Sequence, residues 1–497
     1  MLFLVKRVSM VLDQAKGGSP LAHFIVQFPL KAEVFEQDVL HTRFEVGRGV
    51  FNSLANVTLK RYKEMIKTKR YRQAIVLYRS NKKEAGKILK ALCKEYRLSE
   101  YEFHKDVKPM QHHFKRHIDS NTSQKIATQL WKGFDKLLYG NGNRIHFKKF
   151  GEFNSFEGKT NQAGIRFKDG RLLWNGLSLQ VLIDPNNVYE VEAFTNDIAY
   201  CRIIRKWVRR TYKFYVQIVF KGSPPLKRNK ETGQFKRTAG CGDVGLDIGP
   251  STIAIVSAEL VKLVVLADQV QRMEEEKRLL LRKMDRSRRA MNPTHFHANG
   301  TPNAVPHKKW IHSNHYASYR GKLRELHRKQ AAVRKYQHEC LANEIMALGD
   351  NIYVESMRFS GLARRAKETT VNARTGRFNK KKRFGKSIAN RAPAMLLDII
   401  NRKLAYNGNS LIKIKTHLAK ASQYNHLDKT FKKKKLSERW NDLNGIKVQR
   451  DLYSAFLIMN INDDLETYDE EKCTTRFDAF LIKHHMEINR CKKLRLI

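Results

Sequence analysis

The chain has 497 residues, 41% of them hydrophobic and 10% aromatic, so most of it folds and there is length for several domains. No apolar run approaches the roughly 20 residues of a membrane span, which excludes a membrane-spanning chain of helical type. Against 48 Asp and Glu stand 96 Lys and Arg, a net charge of +48 that is hard to keep compact without a polyanion; nucleic acid is the natural one. The opening "MLFLVKRVSMVLDQAKGG" lacks the charged-then-apolar order of a signal peptide. The six cysteines are scattered with no CxxC, the usage of a reducing cytoplasm rather than of a zinc ribbon or a disulfide scaffold.

In chain order, "AHFIVQFPL" reads as a strand ended by Pro29, and a helical period follows over about 33–140, with basic residues between the apolar ones. The period then changes. Asp169-Gly170 and Asn175-Gly176 are hairpin signals between short apolar runs, and "TYKFYVQIVF" alternates from Tyr212 to Phe220. A β-barrel or small sheet over about 141–225 is expected, completed by the first strand, then a polar basic linker. Beyond it come a hairpin at 244–258 and a third strand at 260–267. Charged helices at about 269–291 and 317–348 are followed by the strand "NIYVES", a helix at "APAMLLDIINRKLAYNG", the strand "SLIKIKTHL" and a last helix from about Val448. Three antiparallel strands, then helix, strand, helix, strand, helix is the element order of the ribonuclease H-like fold.

Asp247 closes the first apolar run where the chain turns, Glu355 ends "NIYVE", and Asp451 opens "RDLYSAFLIMNI". Singly, each reads as an ordinary strand-end or helix-cap residue. At strand one, strand four and the last helix together, they form a hard oxygen-donor set suited to Mg²⁺ or Mn²⁺ and to metal-assisted phosphodiester hydrolysis.

"GLDIGPSTIAIVS", "IYVESM" and "QRDLYSAFLI" resemble the three RuvC motifs of the TnpB proteins of insertion sequences and of the related compact type V CRISPR effectors. The DxG step, the Glu after a strand and the "RD…A" helix start carry the resemblance. It implies a multidomain α+β chain with four parts. Residues 1–32 would begin a wedge β-barrel, 33–140 form a helical recognition domain, and 141–240 form the rest of the wedge β-barrel and a linker. Residues 241–497 would be an RNase H-like (RuvC) nuclease with a helical insertion at about 268–350. It also implies that Asp247, Glu355 and Asp451 bind the catalytic metals, Mg²⁺ or Mn²⁺. The partners would be a guide RNA and target double-stranded DNA, in a monomeric ribonucleoprotein of the prokaryotic cytoplasm with no membrane attachment. The implied activity is RNA-guided endonucleolytic cleavage of DNA. The alternatives from other classes are a guided repressor that binds without cutting, and a transposase or integrase with the same core.

The sequence departs from the family where a four-cysteine zinc finger is usual. The 419–447 segment has no cysteine, and Tyr424, Phe431, Leu436 and Trp440 are expected to form an apolar cluster with no zinc. Tyr453 stands where an Asn often follows the final Asp. The histidines 295, 297, 307, 312 and 315 lack partners at ligand spacing and read as a basic loop facing nucleic acid. Glu274-Glu275-Glu276-Lys277-Arg278 reads as a self-paired solvated face. "CRIIRKWVRRTYKF" interleaves cations with aromatics, so Arg205, Trp207, Arg209 and Arg210 are expected to touch nucleic acid, as is Arg450 beside Asp451.

Overall fold

The computed structural model describes residues 23–495, apart from 79, 141, 210, 230, 236–238, 304–308, 366–367, 377–383 and 436–437. Arg210, His307 and Leu436 therefore lie outside the described residues. The chain divides into two compact units, Met1–Gly233 and Gln234–Ile497.

In the first unit, strand β1 (His23–Lys31) precedes five helices: α1 (Val34–Lys67), α2 (Lys69–Leu77), α3 (Lys82–Glu95), α4 (Glu100–His113) and α5 (Ser120–Leu138). Thr68, Asn81, Ser99 and Asp119 start α2 to α5, each side chain accepting a backbone N–H of the first turn. Strands β2 (Ser155–Glu157), β3 (Arg166–Lys168), β4 (Arg171–Trp174), β5 (Leu177–Val181), β6 (Ile198–Val208) and β7 (Thr211–Lys221) follow, with helix α6 (Val188–Ala193) between β5 and β6. With β1 they form one antiparallel sheet in the order β2-β6-β7-β1-β5-β4-β3. The two turns read from the sequence are present. Asp169 and Gly170, and then Asn175 and Gly176, all have positive φ, the backbone a two-residue hairpin needs. The sheet is an open half-barrel, not a closed barrel: its edge strands β2 and β3, each three residues long, do not pair with one another. Pro29 does not end β1. It pairs with Tyr215 of β7 at the place where β1 changes partner to β5, so its missing N–H interrupts no ladder.

Arg43 fastens α1 to this sheet. Its guanidinium is buried, lies 4.7 Å from the Trp174 ring, and donates to the carbonyls of Trp174 at 2.8 Å and Asn175 at 2.6 Å.

The second unit is built on β8 (Asp243–Ile248), β9 (Thr252–Ser257), β10 (Val261–Val265), β11 (Asn351–Glu355) and β12 (Ile412–Ile414), in the order β10-β9-β8-β11-β12. The first three are antiparallel; β11 and β12 run parallel to β8. The helices are α7 (Asp268–Arg272), α8 (Glu274–Met291), α9 (Asn314–Leu348), α10 (Phe359–Leu362), α11 (Gly385–Arg391), α12 (Pro393–Ala405), α13 (Thr416–Ala419), α14 (Arg450–Met459) and α15 (Glu470–Lys493). Val244, Leu246 and Ile248 face a core shared with α9 and α12, while Ala254, Val256 and Leu263 face one shared with α14 and α15. A sheet covered on both faces explains why its strands read as near-continuous apolar runs.

The sequence pattern did not announce α15. Its buried stripe is Cys473, Phe477, Phe480, His484, Glu487, Ile488 and Cys491, and the His and Glu break the apolar period. Glu487 is at home there because it accepts the Leu263 N–H at 2.6 Å and pairs with Arg490 at 2.6 Å. The strand expected at "SLIKIKTHL" shortens to three residues at the sheet edge and passes into α13.

Candidate functional site

Asp247 sits inside β8, opposite Ala254 of β9, not in the turn that follows. Its neighbour on the other side is set by register: Val354 of β11 faces Leu246, so Glu355 comes one step later beside Asp247. Parallel neighbours in register point their side chains to the same face. The hydroxyl and N–H of Ser356 tie the end of β11 to the Ile414 carbonyl and the Thr416 hydroxyl, at 3.1 and 2.9 Å.

Gly245 brings the third carboxylate over. A Cβ there would fall 2.0 Å from the Ala455 carbonyl and 2.6 Å from the Met459 nitrogen, so α14 lies backbone to backbone on β8. Two residues along a strand and four along a helix are nearly equal advances, roughly 6 to 7 Å. From Gly245 under Ala455, the next step on each element leads to Asp247 and Asp451. A glycine inside an apolar strand is the sequence signal for such a close approach.

All three carboxylates are half-buried. Burial first, then the charges of Glu355 and Asp451, hold Asp247 well above the usual carboxylate range, with Arg450 opposing. Burial likewise raises Glu355. Asp451 faces cations. Arg450 donates to its Oδ1 at 3.2 and 3.3 Å, and Arg439 Nη1 stands 3.6 Å from Oδ2. Arg450 is itself held by the Glu438 carbonyl at 2.9 Å. Arg439 carried no signal separating it from the other cations of its basic segment.

As a donor set, three carboxylates on neighbouring elements suit a hard divalent cation, which would also relieve the repulsion felt by Asp247. As they stand, no group of three or more His, Cys, Asp or Glu among the described residues is gathered closely enough to hold a metal ion. Both oxygens of Asp451 face guanidinium groups, Arg450 at Oδ1 and Arg439 at Oδ2.

The remaining expected residues scatter. Arg205 is 3% exposed and cannot meet a backbone phosphate at the surface. It donates to Glu45 at 3.1 Å, the Phe153 carbonyl at 3.1 Å and Asn154 at 3.2 Å, between the rings of Phe44 and Tyr212. Trp207 is half-buried, its ring 4.8 Å from that of Tyr212, and Arg209 is exposed at the β6–β7 turn with positive φ. In the 419–447 segment, strands β13 (Tyr424–Asn425) and β14 (Thr430–Phe431) form one hairpin, and β15 (Trp440–Leu443) and β16 (Ile446–Gln449) another. Tyr424 packs on Phe431, as expected, and also on Tyr468, at 4.9 and 4.8 Å. Trp440 is 42% exposed on the second hairpin; Ala421 and Leu443 are buried in the same core as Tyr424, and buried His426 is bonded to the Tyr453 hydroxyl at 2.7 Å. His295 packs on Trp310 and His312 on Tyr316. Glu274 and Glu275 pair with Lys277 and Arg278, and Glu274 also with Lys386.

No family model matches the sequence, and no curated protein matches it. Among solved structures the chain is similar to a cryo-EM structure of a Cas12f1–sgRNA–target DNA complex, with a TM-score of 0.42 and 8% identity over 89% of this chain and 99% of that one. A CRISPR-Cas12f ternary complex gives a TM-score of 0.24 and 13% identity over 87% and 83% of the two chains. A Cas12i–crRNA–dsDNA complex gives 0.25 and 8% over 97% and 65%. At such identities the chemistry has to be read from this chain's own side chains. Among the described residues, no helix is long and apolar enough to cross a membrane.

Proposed function

We propose that the protein is an RNA-guided DNA endonuclease of the TnpB and compact type V kind. The observation that carries the reading is that Asp247, Glu355 and Asp451 lie towards one end of a five-stranded sheet of order β10-β9-β8-β11-β12, near enough for the charges of the other two to raise Asp247. In this reading 241–497 is the RuvC-like nuclease, 33–140 the helical recognition domain, and 1–32 with 141–240 the wedge half-barrel and linker. The net charge of +48 supports a guide RNA and target double-stranded DNA as partners. Base pairing would read the target, and the protein a short flanking motif.

Asp247, Glu355 and Asp451 would hold Mg²⁺ or Mn²⁺. Such ions supply an activated water and charge stabilisation of the leaving oxygen in phosphodiester hydrolysis. The chain's own part is placement. Register fixes Glu355 beside Asp247, Gly245 admits α14, and Arg450 bonds the Asp451 carboxylate.

Purified protein carrying its RNA should cut DNA in Mg²⁺ or Mn²⁺ and not in EDTA. Asp247→Ala, Glu355→Ala and Asp451→Ala should each abolish cutting and leave target binding nearly intact. Exchanging the guide segment should move the cut site; an unmoved site would sink the guided reading. The arginine contacts on Asp451 favour one second reading, guided DNA binding without cleavage. Guide-dependent binding with no strand scission in either metal would select it.

A further inference from the structure

In the first unit a cavity of about 580 Å³ opens between α1, the end of α4, the loop before β2, and strands β6 and β7. That volume lies within the range of small-molecule sites, about 300 to 1,000 Å³. Rings make its walls: His41, Phe114, Phe150 and Tyr212 line it, with Glu45 and Arg205. Phe150 is 81% exposed. A solitary exposed ring is ordinary, but one at a concave, ring-lined opening is a platform without its partner.

Gly49 lines the cavity from the helix side. It lies inside α1, where glycine is the costliest residue after proline. A Cβ at Gly49 would meet nothing within 4 Å, so packing does not require the glycine, and the space it leaves lines the cavity. Exposed cations adjoin two of the lining rings along the chain: Lys115 and Arg116 follow Phe114, and Lys149 precedes Phe150. The one carboxylate in the wall is neutralised, since Glu45 accepts from Arg48 at 2.7 Å and from Arg205 and the Gly151 N–H at 3.1 Å. Burial and the Arg205 charge lower His41, whose Nδ1 accepts from Arg205 at 3.3 Å, so Nε2 is the ring nitrogen that could meet a base edge.

We propose that this cavity takes one unstacked base of single-stranded RNA, stacked on Phe150, with the flanking phosphates on the adjoining cations. Apolar ring walls with cations adjoining them along the chain match a nucleotide, which joins an apolar base to a charged backbone. The inference rests on the guide-RNA reading and adds to it a site that holds one base out of the helix.

The test titrates the full chain with a short single-stranded RNA carrying 2-aminopurine, and with a duplex of equal length, across a salt series. Phe150→Ala and Gly49→Leu, the second filling the cavity, should each weaken single-strand binding about tenfold, the range of losing one base–ring stack. Both should leave the slope of log affinity against log salt unchanged, and both should abolish stacking quench of the probe. Lys149→Ala should instead lower the slope, and duplex binding should be equal for wild type and Phe150→Ala. Circular dichroism checks that Gly49→Leu is folded; Phe150 is too exposed to matter for folding. Wild-type affinity and quench in both pocket variants would overturn the inference while leaving the guide reading intact. A wild-type protein with no affinity for RNA at all would overturn both.

Discussion

Arg205 holds its guanidinium between two rings 4.7 Å away on either side and spends its donors on Glu45, Asn154 and the Phe153 carbonyl. A cation placed so deeply is stable only while all these partners stay, and truncating it leaves carbonyls and a carboxylate unsatisfied. Arg205→Ala should therefore lower stability by about 2 to 4 kcal/mol, read from the urea midpoint. Arg209→Ala, exposed four residues on, should lower the midpoint less than Arg205→Ala and reduce the salt dependence of RNA binding. An unchanged midpoint with weakened RNA binding in Arg205→Ala would return that residue to the nucleic-acid surface. The two arginines share one sequence context, and only burial separates them.

At the scale of elements, α15 reaches the start of α14 through one histidine. The Gln449 N–H donates to His484 Nε2 at 2.9 Å, so the neutral ring carries its proton on Nδ1. Burial, helped by His485, pushes His484 down to about 4. Protonating it would remove the acceptor just before Asp451 and place a charge in the core. The unfolded chain binds this proton near the ordinary value of 6.5 and the folded chain only near 4, so stability falls as pH drops through that window. The loss should approach about 3 kcal/mol by the lower end, with His426 and His338, also lowered by burial, adding in the same direction. Chemical unfolding of wild type and His484→Gln between pH 7 and 4 checks this. A variant as pH-sensitive as wild type would clear His484 of the effect.

Across the whole molecule, cations outnumber acids two to one, and exposed Lys and Arg are found in both units. Internal pairing cannot neutralise that excess, so a polyanion should stabilise the chain and lose its grip as salt rises. RNA affinity should fall on the order of 10³-fold or more between 50 and 200 mM salt if six or more phosphates are engaged. A nearly salt-independent affinity, measured by filter binding, would mean that the charge serves something other than a phosphate backbone.

Local chemistry determined much of this by itself. The Asp-Gly and Asn-Gly turns, the apolar runs of β8, β9 and β11, the capped helices of the first unit and the acids at Asp247, Glu355 and Asp451 are each set by a few neighbouring residues. Backbone sterics and side-chain period act over that same short range. Which elements cover which was decided only in three dimensions. The sequence shows that Arg205 alternates with apolar residues, but not that α1 closes over its face and supplies Glu45. It shows an Arg before Asp451, but not that Arg439 arrives on the other oxygen. It shows a glycine in "VGLD", while the helix lying 2.0 Å from a Cβ at Gly245 comes from Ala455, far along the chain. Period reports how a segment divides its faces. The partner that buries a face is chosen by the packing of distant segments, and that choice set the fate of each charge.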